Sequence, residues 1–332
     1  MQDTRLGQHG PQVACIGLGC MGMSDLYGPA DRGESIATLH AALDAGITLL
    51  DTGDFYGMGH NEMLIREALQ GRTREQVQIS VKFGALRGPD GSWSGYDCRP
   101  AAVRNFGAYS LKRLGTDYID IYRPARLDPN VPIEDTVGAI ADLVKAGYVK
   151  YIGLSEVGAE TLRRASAVHP ISDLQIEYSI ISRSIEKTIL PTARELGIGI
   201  TAYGVLSRGL ISGHWSRERT GQKDSRNLAS PRFQGENLDT NLALVERMRT
   251  LAQELDVSVA QLAIAWVAAQ GADIVPLVGA RRRDRLQEAL GATDLRLRPE
   301  DIARLESIVP PGAVAGERYN AAQMNHLDSE MG

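Results

Sequence analysis

The chain contains few cysteines. Of its 332 residues only three, Cys15, Cys20 and Cys98, are cysteine. An odd number without the paired spacing of metal-binding cysteines argues against a disulfide framework and against a cysteine-rich metal site. Free thiols are typical of cytosolic proteins, so we expect a cytoplasmic protein with reduced cysteines and no bound metal.

The chain also lacks a long apolar run. Its most apolar stretch, residues 260–269, is too short for a membrane-spanning helix, which needs about 20 apolar residues. Residues 1–6 contain no apolar core of a signal peptide. The net charge of −5 argues against a nucleic acid or an anionic membrane as the main partner. We therefore expect a small-molecule partner, and the oligomeric state stays open.

A third absence concerns dinucleotide binding. The glycines Gly17, Gly19 and Gly22 come close to the Gly-x-Gly-x-x-Gly pattern, but no helix is predicted to open directly on them. That pattern binds a dinucleotide only where a strand leads directly into a helix. The sequence therefore argues against a Rossmann domain, and any dinucleotide site must lie elsewhere.

What the chain does contain is a regular alternation of strand and helix patterns. The predicted strands lie near residues 15–19, 47–50, 77–82, 118–122, 149–154, 173–176, 198–202 and 274–278. The predicted helices lie near residues 35–45, 61–70, 99–114, 134–146, 159–168, 185–196, 258–269 and 283–290. Eight strands that alternate with helices predict a closed (β/α)₈ TIM barrel of the α/β class.

The ends of the barrel and one connection depart from this alternation. Gly10-Pro11 between two short apolar segments predicts an N-terminal β-hairpin. Residues 206–239 predict a long loop after strand seven, on the face where barrel active sites lie. No linker rich in proline, glycine or serine divides the chain, so we expect one domain over residues 1–332. Residues 310–332 form a loop-like tail that either folds over the same face or is free.

The chemistry-bearing residues concentrate at the ends of two predicted strands. Asp51 and Tyr56 follow one strand directly, and Lys82 ends the next. A buried lysine needs an anionic partner, for which Asp51 is the candidate. A lysine ammonium about 4 Å from a phenol is worth about 4 kcal/mol at an effective dielectric near 20, or roughly three pKa units. We therefore expect Lys82 to lower the pKa of Tyr56, which then acts as a general acid.

Each of these residues also has a purely structural explanation. Asp51 alone is typical of a turn cap, Lys82 of a charge at a strand end, and Tyr56 of a packed aromatic. Short motifs match by chance often enough that none of the three decides the matter singly. Their combination at two strand ends with flanking glycines favours a catalytic function.

These residues belong to a longer pattern. Residues 51–57 read DTGDFYG, residues 61–62 read NE, residues 81–84 read VKFG, and residues 17–23 read GLGCMGM. In this order they resemble the aldo-keto reductase family, and the resemblance runs from about residue 4 to about residue 310. It implies a barrel oxidoreductase that uses NADP(H) to reduce aldehydes or ketones, with Tyr56 as the proton donor. It also implies that Gly22, Met23 and Asp51 contact the cofactor.

Residues 275–285 read VPLVGARRRDR and predict a strand, a glycine turn and a basic start of a helix. Helix amino termini bind phosphate, and arginines there are unfavourable unless an anion compensates them, so we expect a phosphate site. A solvated basic patch is the alternative. On the family pattern Gly279, Arg281 and Arg285 hold the adenosine 2′-phosphate and Glu288 faces the adenine, which implies NADP(H).

The resemblance assigns the nicotinamide end of the cofactor to other strand ends. It implies stacking on a tyrosine, a loop that holds the pyrophosphate, and two polar groups for the carboxamide. The matching residues are Tyr203, Leu206, Ser207 and Arg208 for the first two and Ser155 and Gln175 for the carboxamide. Glu156 stands where the family commonly has asparagine. Ser155 and Gln175 singly are equally typical of strand-end hydrogen bonding.

One family residue is missing. Residues 120–129 read DIYRPARLDP, and Ala125 stands where the family usually has a histidine that orients the substrate carbonyl. Either another donor replaces it, Arg123 and Arg126 being nearest and favouring a substrate with an anion or many hydroxyls, or reduction is slow or the enzyme works mainly in the oxidative direction. The loss also keeps a second hypothesis open, a nucleotide-binding sensor with little turnover.

Overall fold

The computed structural model describes residues 1–24, 26–218, 226 and 230–331. In chain order the strands are β1 (Asp3–Arg5), β2 (Gln12–Ala14), β3 (Gly17–Gly19), β4 (Leu49–Gly53), β5 (Gln78–Phe83), β6 (Ala85–Arg87), β7 (Trp93–Tyr96), β8 (Ile119–Pro124), β9 (Val149–Ser155), β10 (Asp173–Glu177), β11 (Gly199–Tyr203) and β12 (Ile274–Gly279). Eight of these form a closed parallel barrel in the order β10-β11-β12-β3-β4-β5-β8-β9. The predicted TIM barrel is confirmed.

Helices surround the barrel. They are α1 (Arg32–Asp44), α2 (His60–Ala68), α3 (Pro100–Leu114), α4 (Ile133–Lys145), α5 (Ala159–Val168), α6 (Ile189–Glu195), α7 (Gly235–Glu254), α8 (Val259–Ala268), α9 (Arg283–Leu290), α10 (Pro299–Ile308) and α11 (Ala321–Met324). Among the described residues no single helix is long and apolar enough to cross a membrane, and only α7 and α8 together, bent by 86°, pass by length and composition.

The predicted loop after the seventh barrel strand is shorter than expected. We predicted it over residues 206–239, but α7 begins at Gly235, and the turn Ser207–Ser212 is a distorted 3₁₀-helix. The first two turns of α7 bury little apolar surface besides Leu238, and its apolar stripe begins only at Leu244. The middle of the predicted loop, residues 219–225 and 227–229, lies outside the described residues. The predicted helices did not include α7, α10 or α11.

The N-terminal hairpin, β1 and β2, pairs antiparallel next to the amino ends of the barrel strands. Its turn contains Gly7, which has a φ of +70°, and a Cβ there would lie 2.3 Å from the carbonyl oxygen of Ser172. Only glycine fits a left-handed position with so close an approach. The hairpin side chains pack into a small apolar cluster inside the barrel, formed by Leu6, Val13, Leu49, Ile121 and Val275.

Above this apolar layer the barrel interior is charged. The Arg123 guanidinium and the Asp173 carboxylate are both fully buried and make two hydrogen bonds, of 2.8 and 3.1 Å. Arg123 also donates to the Ser80 hydroxyl at 3.1 Å, and that hydroxyl donates to Asp51 at 2.9 Å. If either partner of such a buried ion pair is removed, the remaining charge stays buried without water to solvate it. Loss of one partner is therefore strongly destabilising. The pair thereby connects the barrel interior to Asp51.

Replacing Arg123 with methionine is expected to lower the free energy of unfolding by about 3–5 kcal/mol, because the carboxylate of Asp173 then stays buried without its charge partner. Urea denaturation followed by circular dichroism measures the change. The control is Arg163→Met, which breaks an exposed pair with Glu195 and should change stability by about 0.5 kcal/mol or less. A loss below about 1 kcal/mol for the Arg123 variant would show that the pair is not needed.

Candidate active site

Asp51, Lys82 and Gln175 form one hydrogen-bonded group at the carboxyl ends of β4, β5 and β10. Lys82 makes an ion pair with Asp51 and donates to the side-chain oxygen of Gln175 at 2.9 Å. The Gln175 amide donates back to Asp51 at 2.7 Å. All three side chains are buried. Burial lowers the pKa of Lys82 below its usual 10.5, and the charge of Asp51 opposes this fall.

Tyr56 lies directly above this group, at the start of the 3₁₀-helix Tyr56–Gly59. The ammonium of Lys82 is 5.2 Å from the centre of the phenol ring, and Phe55 packs edge-on against the ring at 4.8 Å. Only 6% of Tyr56 is exposed. The short helix turns through left-handed conformations at Gly57 and Met58, so the chain reverses tightly and places the ring over the strand end.

The expected lowering of the pKa of Tyr56 by Lys82 is wrong for this structure. Burial raises the pKa of Tyr56 well above 10, the charge of Asp51 raises it further, and the charge of Arg126 opposes that rise. Lys82 has no decisive effect because Asp51 compensates its charge. The phenol is therefore neutral at physiological pH, which is the form that donates a proton.

The side chains of Arg123 and Arg126, the two candidates to replace the histidine, point to different places. Ala125 donates its backbone N–H to the carbonyl of Phe83 at 2.8 Å, so its methyl group occupies the strand end. Arg123 points into the barrel, bound to Asp173. Arg126 instead donates to the Ala125 carbonyl at 2.7 Å and approaches the hydroxyl of Tyr319, in the tail, to 3.5 Å. Of the two, only Arg126 reaches the site.

The C-terminal tail, residues 313–331, covers this end of the barrel. Arg318 donates two hydrogen bonds to the carboxylate of Glu156, of 2.9 and 2.6 Å, and a third interaction at 2.8 Å joins it to Glu330. The Ser329 hydroxyl donates to Glu156 at 2.7 Å. The Tyr319 hydroxyl lies 2.9 Å from that of Tyr203. Of the two arrangements left open by the sequence, the structure shows the folded one.

The carboxylate of Glu156 organises these tail contacts. It follows β9 with a φ of +54° and is fully buried. Burial raises the pKa of Glu156, but the charge and hydrogen bonds of Arg318 outweigh that effect and hold the pKa well below its usual value. Glu156 also accepts from the hydroxyl of Tyr203 at 2.7 Å. Glu156 is therefore an anion that binds the tail, a role that the sequence indicated only through the unusual residue at this position.

The loop after β11 also contacts the tail. Arg208 places its guanidinium 4.2 Å from the centre of the Tyr319 ring and donates to the backbone carbonyl of Arg318 at 2.7 Å. Ser207 and Arg208 both have positive φ angles, of 45° and 57°. Two of the residues assigned to the nicotinamide end, Tyr203 and Arg208, thus bind the tail here.

The basic segment after β12 begins beside exposed glycine backbone. Gly279 is exposed at the end of β12 and pairs in register with Gly19 of β3. A Cβ at Gly279 would meet no atom closer than the Gly19 carbonyl oxygen at 4.0 Å. Two neighbouring strands therefore end without side chains, which gives a ligand access to the backbone next to the amino terminus of α9.

The arginines of this segment are compensated by protein groups, contrary to the expectation that only a phosphate would balance them. The hydrogen bonds are Arg281 to the carbonyl of Tyr27 at 2.7 Å, Arg282 to Asp284 at 2.7 Å, Arg283 to Glu34 at 2.9 Å and Arg285 to Glu288 at 3.1 Å. Glu288 also lies 2.8 Å from His214. These pairs are largely exposed, so they exchange for a bound anion at a cost of about 0–1 kcal/mol each.

Comparison with known proteins identifies the family of this chain. A model of the Aldo/keto reductase family matches residues 15–310. A curated relative, the probable aldo-keto reductase 1 of Glycine max, is 44% identical over 322 residues, which cover 96% of this chain and 92% of the relative. The chain belongs to the aldo-keto reductase family.

Solved aldo-keto reductase structures superpose over nearly the whole chain. The glycerol dehydrogenase AKR11B4 from Gluconobacter oxydans has a TM-score of 0.84 at 27% identity and covers 98% of this chain and 96% of its own. The holo form of aldo-keto reductase AKR11C1 from Bacillus halodurans has a TM-score of 0.77 at 26% identity and covers 93% and 96%. This aldo-keto reductase is accordingly an oxidoreductase that acts on small carbonyl compounds with a nicotinamide cofactor.

The residues present fit a nicotinamide cofactor both beside α9 and at the carboxyl ends of β9, β10 and β11. The glycine pair Gly19 and Gly279 leaves backbone accessible beside α9, and exposed arginines lie next to it. Gly22 is half-buried and Met23 buried in the 3₁₀-helix after β3. The remaining candidates lie at the ends of β9, β10 and β11: Ser155, Gln175, Tyr203, Leu206 and Ser207. Gln175 and Tyr203 already have protein partners, so binding would require their exchange.

Replacing Arg318 with methionine is expected to free the tail of this aldo-keto reductase. The carboxylate of Glu156 would then stay buried without its bidentate partner, which is worth several kcal/mol. Because each 1.4 kcal/mol changes an opening equilibrium tenfold, amide hydrogen exchange of residues 313–331 should accelerate by at least about tenfold. The control is Arg304→Met, which breaks an exposed pair with Glu254. Equal exchange in both variants would mean that other contacts hold the tail.

Proposed function

We propose that this aldo-keto reductase is an NADP(H)-dependent carbonyl reductase in which Tyr56 donates the proton. The observation that carries the proposal is the buried group of Asp51, Lys82 and Gln175 directly beneath a buried, neutral phenol. A structural role alone would not require a lysine ammonium and a carboxylate at the end of two buried strands, where both ions lose their hydration.

Each residue of the group has a distinct task. Bound NADPH would supply the hydride to the carbonyl carbon. Tyr56 gives its proton to the carbonyl oxygen, and the ammonium of Lys82, 5.2 Å from the ring centre, stabilises the phenolate that remains. Asp51 and Gln175 hold that ammonium in place through one ion pair and one hydrogen bond. The tail and the loop after β11 exclude water from the reaction.

The preference for NADP(H) rests on the arginines around α9. Arg281 and Arg285 lie near the amino terminus of that helix, where an added phosphate gains their charge and the positive end of the helix dipole, and the backbone N–H of Arg283, which donates to Glu34 at 2.9 Å, would have to exchange that partner to contribute. Their present partners are a backbone carbonyl for Arg281 and Glu288 for Arg285. On this proposal Glu288, released from Arg285, keeps its contact with His214 and faces the adenine.

Replacing Tyr56 with phenylalanine should lower turnover of any accepted carbonyl by about 100-fold or more, because the phenol proton is lost while the ring and its packing remain. The affinity for NADPH should change less than about threefold, since the phenol hydroxyl acts on the substrate rather than on the cofactor. Nicotinamide absorbance with a carbonyl panel gives turnover, and fluorescence titration gives the affinity.

The matched control for that experiment is Tyr109→Phe, which removes the hydroxyl of an exposed tyrosine. Undiminished turnover in the Tyr56 variant would refute the proposed proton donor. Tight binding of NADPH by the wild type without turnover in either direction would instead support the nucleotide-sensor alternative, for which the alanine at position 125 is the motivating observation.

Replacing Arg285 with alanine should weaken the binding of NADPH by about tenfold, the loss of one partly exposed, charge-assisted contact to a phosphate. The affinity for NADH should change less than about twofold, because NADH has no 2′-phosphate for Arg285 to bind. Isothermal titration with both coenzymes measures the difference, with Arg304→Ala as the control at an exposed arginine elsewhere. An equal loss for both coenzymes would contradict the assignment of a 2′-phosphate site.

A further inference from the structure

Arg126 is a cation without a carboxylate partner at the active site. Its two hydrogen bonds go to the neutral groups of Ala125 and Tyr319. Within the described part of the chain no carboxylate oxygen lies within 4.0 Å of its guanidinium, and the charge of Glu156 acts on it only from farther away. The contact with Tyr319 measures 3.5 Å, which is long for a hydrogen bond and therefore weak. One edge of this guanidinium is thus available to a stronger acceptor.

Three other buried carboxylates around the site are paired with cations, and Asp54 is buried without an ion pair, where burial raises its pKa to about 8, so its carboxyl is mostly neutral at pH 7. Asp51 binds Lys82, and Glu156 binds Arg318. Glu177 is shared by three arginines: Arg208 at 3.4 Å, Arg232 at 3.3 Å and Arg318 at 3.6 Å. Within this group of described residues, five cations (Lys82, Arg126, Arg208, Arg232 and Arg318) face four carboxylates (Asp51, Glu156, Glu177 and Glu330), which leaves an excess of one positive charge. A half-buried positive excess of this kind favours an anionic ligand.

The surroundings of the Tyr319 hydroxyl indicate which kind of group can bind beside the Arg126 guanidinium. Its ring lies against the Arg208 guanidinium, and its oxygen is directed toward Arg126 and Tyr203. Burial raises the pKa of Tyr319, but the charges of Arg208 and Arg126 outweigh that effect and leave the pKa below 10. The surroundings of this oxygen therefore stabilise negative charge.

We propose that Arg126 binds a carboxylate of the substrate, displacing the weak contact with Tyr319, and that the substrates of this enzyme are oxo acids. A guanidinium matches a carboxylate through two parallel hydrogen bonds, which fixes orientation as well as position. Binding in this way would orient the neighbouring carbonyl toward Tyr56, the task that Ala125 has no group to perform. The inference deepens the proposed reductase function and rests on it.

The atoms and electrons of the proposed reaction balance for an oxo acid. The carbonyl carbon of the oxo acid receives the hydride of the reduced coenzyme, and the carbonyl oxygen receives the proton of Tyr56. The π bond of the carbonyl breaks, one C–H and one O–H bond form, and the carboxylate keeps its charge on Arg126. The products are a hydroxy acid and the oxidised coenzyme, and a solvent proton restores the phenol.

The test compares matched substrates that differ by one negative charge: phenylglyoxylate with its methyl ester, and pyruvate with methyl pyruvate. For the wild type, kcat/KM should be at least about tenfold higher for each acid, mainly through a lower KM, as expected from a charge-assisted contact. Arg126→Gln should reduce the preference to about threefold or less. Arg126→Lys keeps the positive charge but cannot form two parallel hydrogen bonds to a carboxylate, so it should retain a preference for the acid between those of the wild type and Arg126→Gln.

The exposed Arg163→Gln variant is the control and should keep the preference of the wild type. A preference that survives in Arg126→Gln, or a wild type that uses the esters as well as the acids, would overturn the proposal. The proposed function is judged separately, by Tyr56-dependent turnover of any carbonyl. If such turnover exists but no oxo acid is reduced, the role of Arg126 is wrong and the reductase function stands.

A binding measurement decides the matter independently of turnover. Oxamate, an unreactive carboxylate, is titrated by calorimetry into the full chain with NADP⁺ present, and ethyl oxamate serves as its neutral counterpart. Oxamate should bind the wild type at least about tenfold more tightly than the ester, and Arg126→Gln should abolish that difference. Equal binding of oxamate to wild type and variant would refute an anion site at Arg126.

Discussion

A chain of buried charges through the barrel interior is the constraint on which the rest of the site depends. Asp173 and Arg123 pair in full burial, and Ser80 connects that pair to Asp51 and so to Lys82. Such charges are stable only when every member is present and well oriented. The residues that hold the Lys82 ammonium are therefore also part of the buried network that stabilises the barrel, and the barrel supplies the rigidity that the proposed proton transfer would require.

The environment of Tyr56 follows from the same burial. Desolvation, rather than the neighbouring lysine, dominates the pKa of the phenol in this structure. Lys82 is closely paired with Asp51, so its charge acts chiefly within that pair and lowers the pKa of Tyr56 too little to offset the effect of burial. The phenol of Tyr56 is therefore protonated at neutral pH, as the proposed role of proton donor requires.

The sequence predicted the barrel, and it predicted that Asp51, Tyr56 and Lys82 lie together, because the signals for both are local. Asp51 and Lys82 each follow an apolar strand, and flanking glycines mark the strand ends. The direction of the Tyr56 pKa could not be predicted, since it depends on how deeply the folded chain buries the ring. The acids that balance the arginines near α9 were missed for a similar reason: Glu34 lies in α1, about 250 residues before its partner Arg283 in the chain.

The contact between Glu156 and Arg318 has a consequence for the order in which the protein forms. These residues are 162 positions apart, and Arg318 leaves the ribosome after every barrel strand has been made. Until then the glutamate at the end of β9 has no cation to neutralise it in a buried position. A nascent barrel is therefore expected to keep this end hydrated and open, and to acquire its closed active-site end only as the last segment of the chain docks.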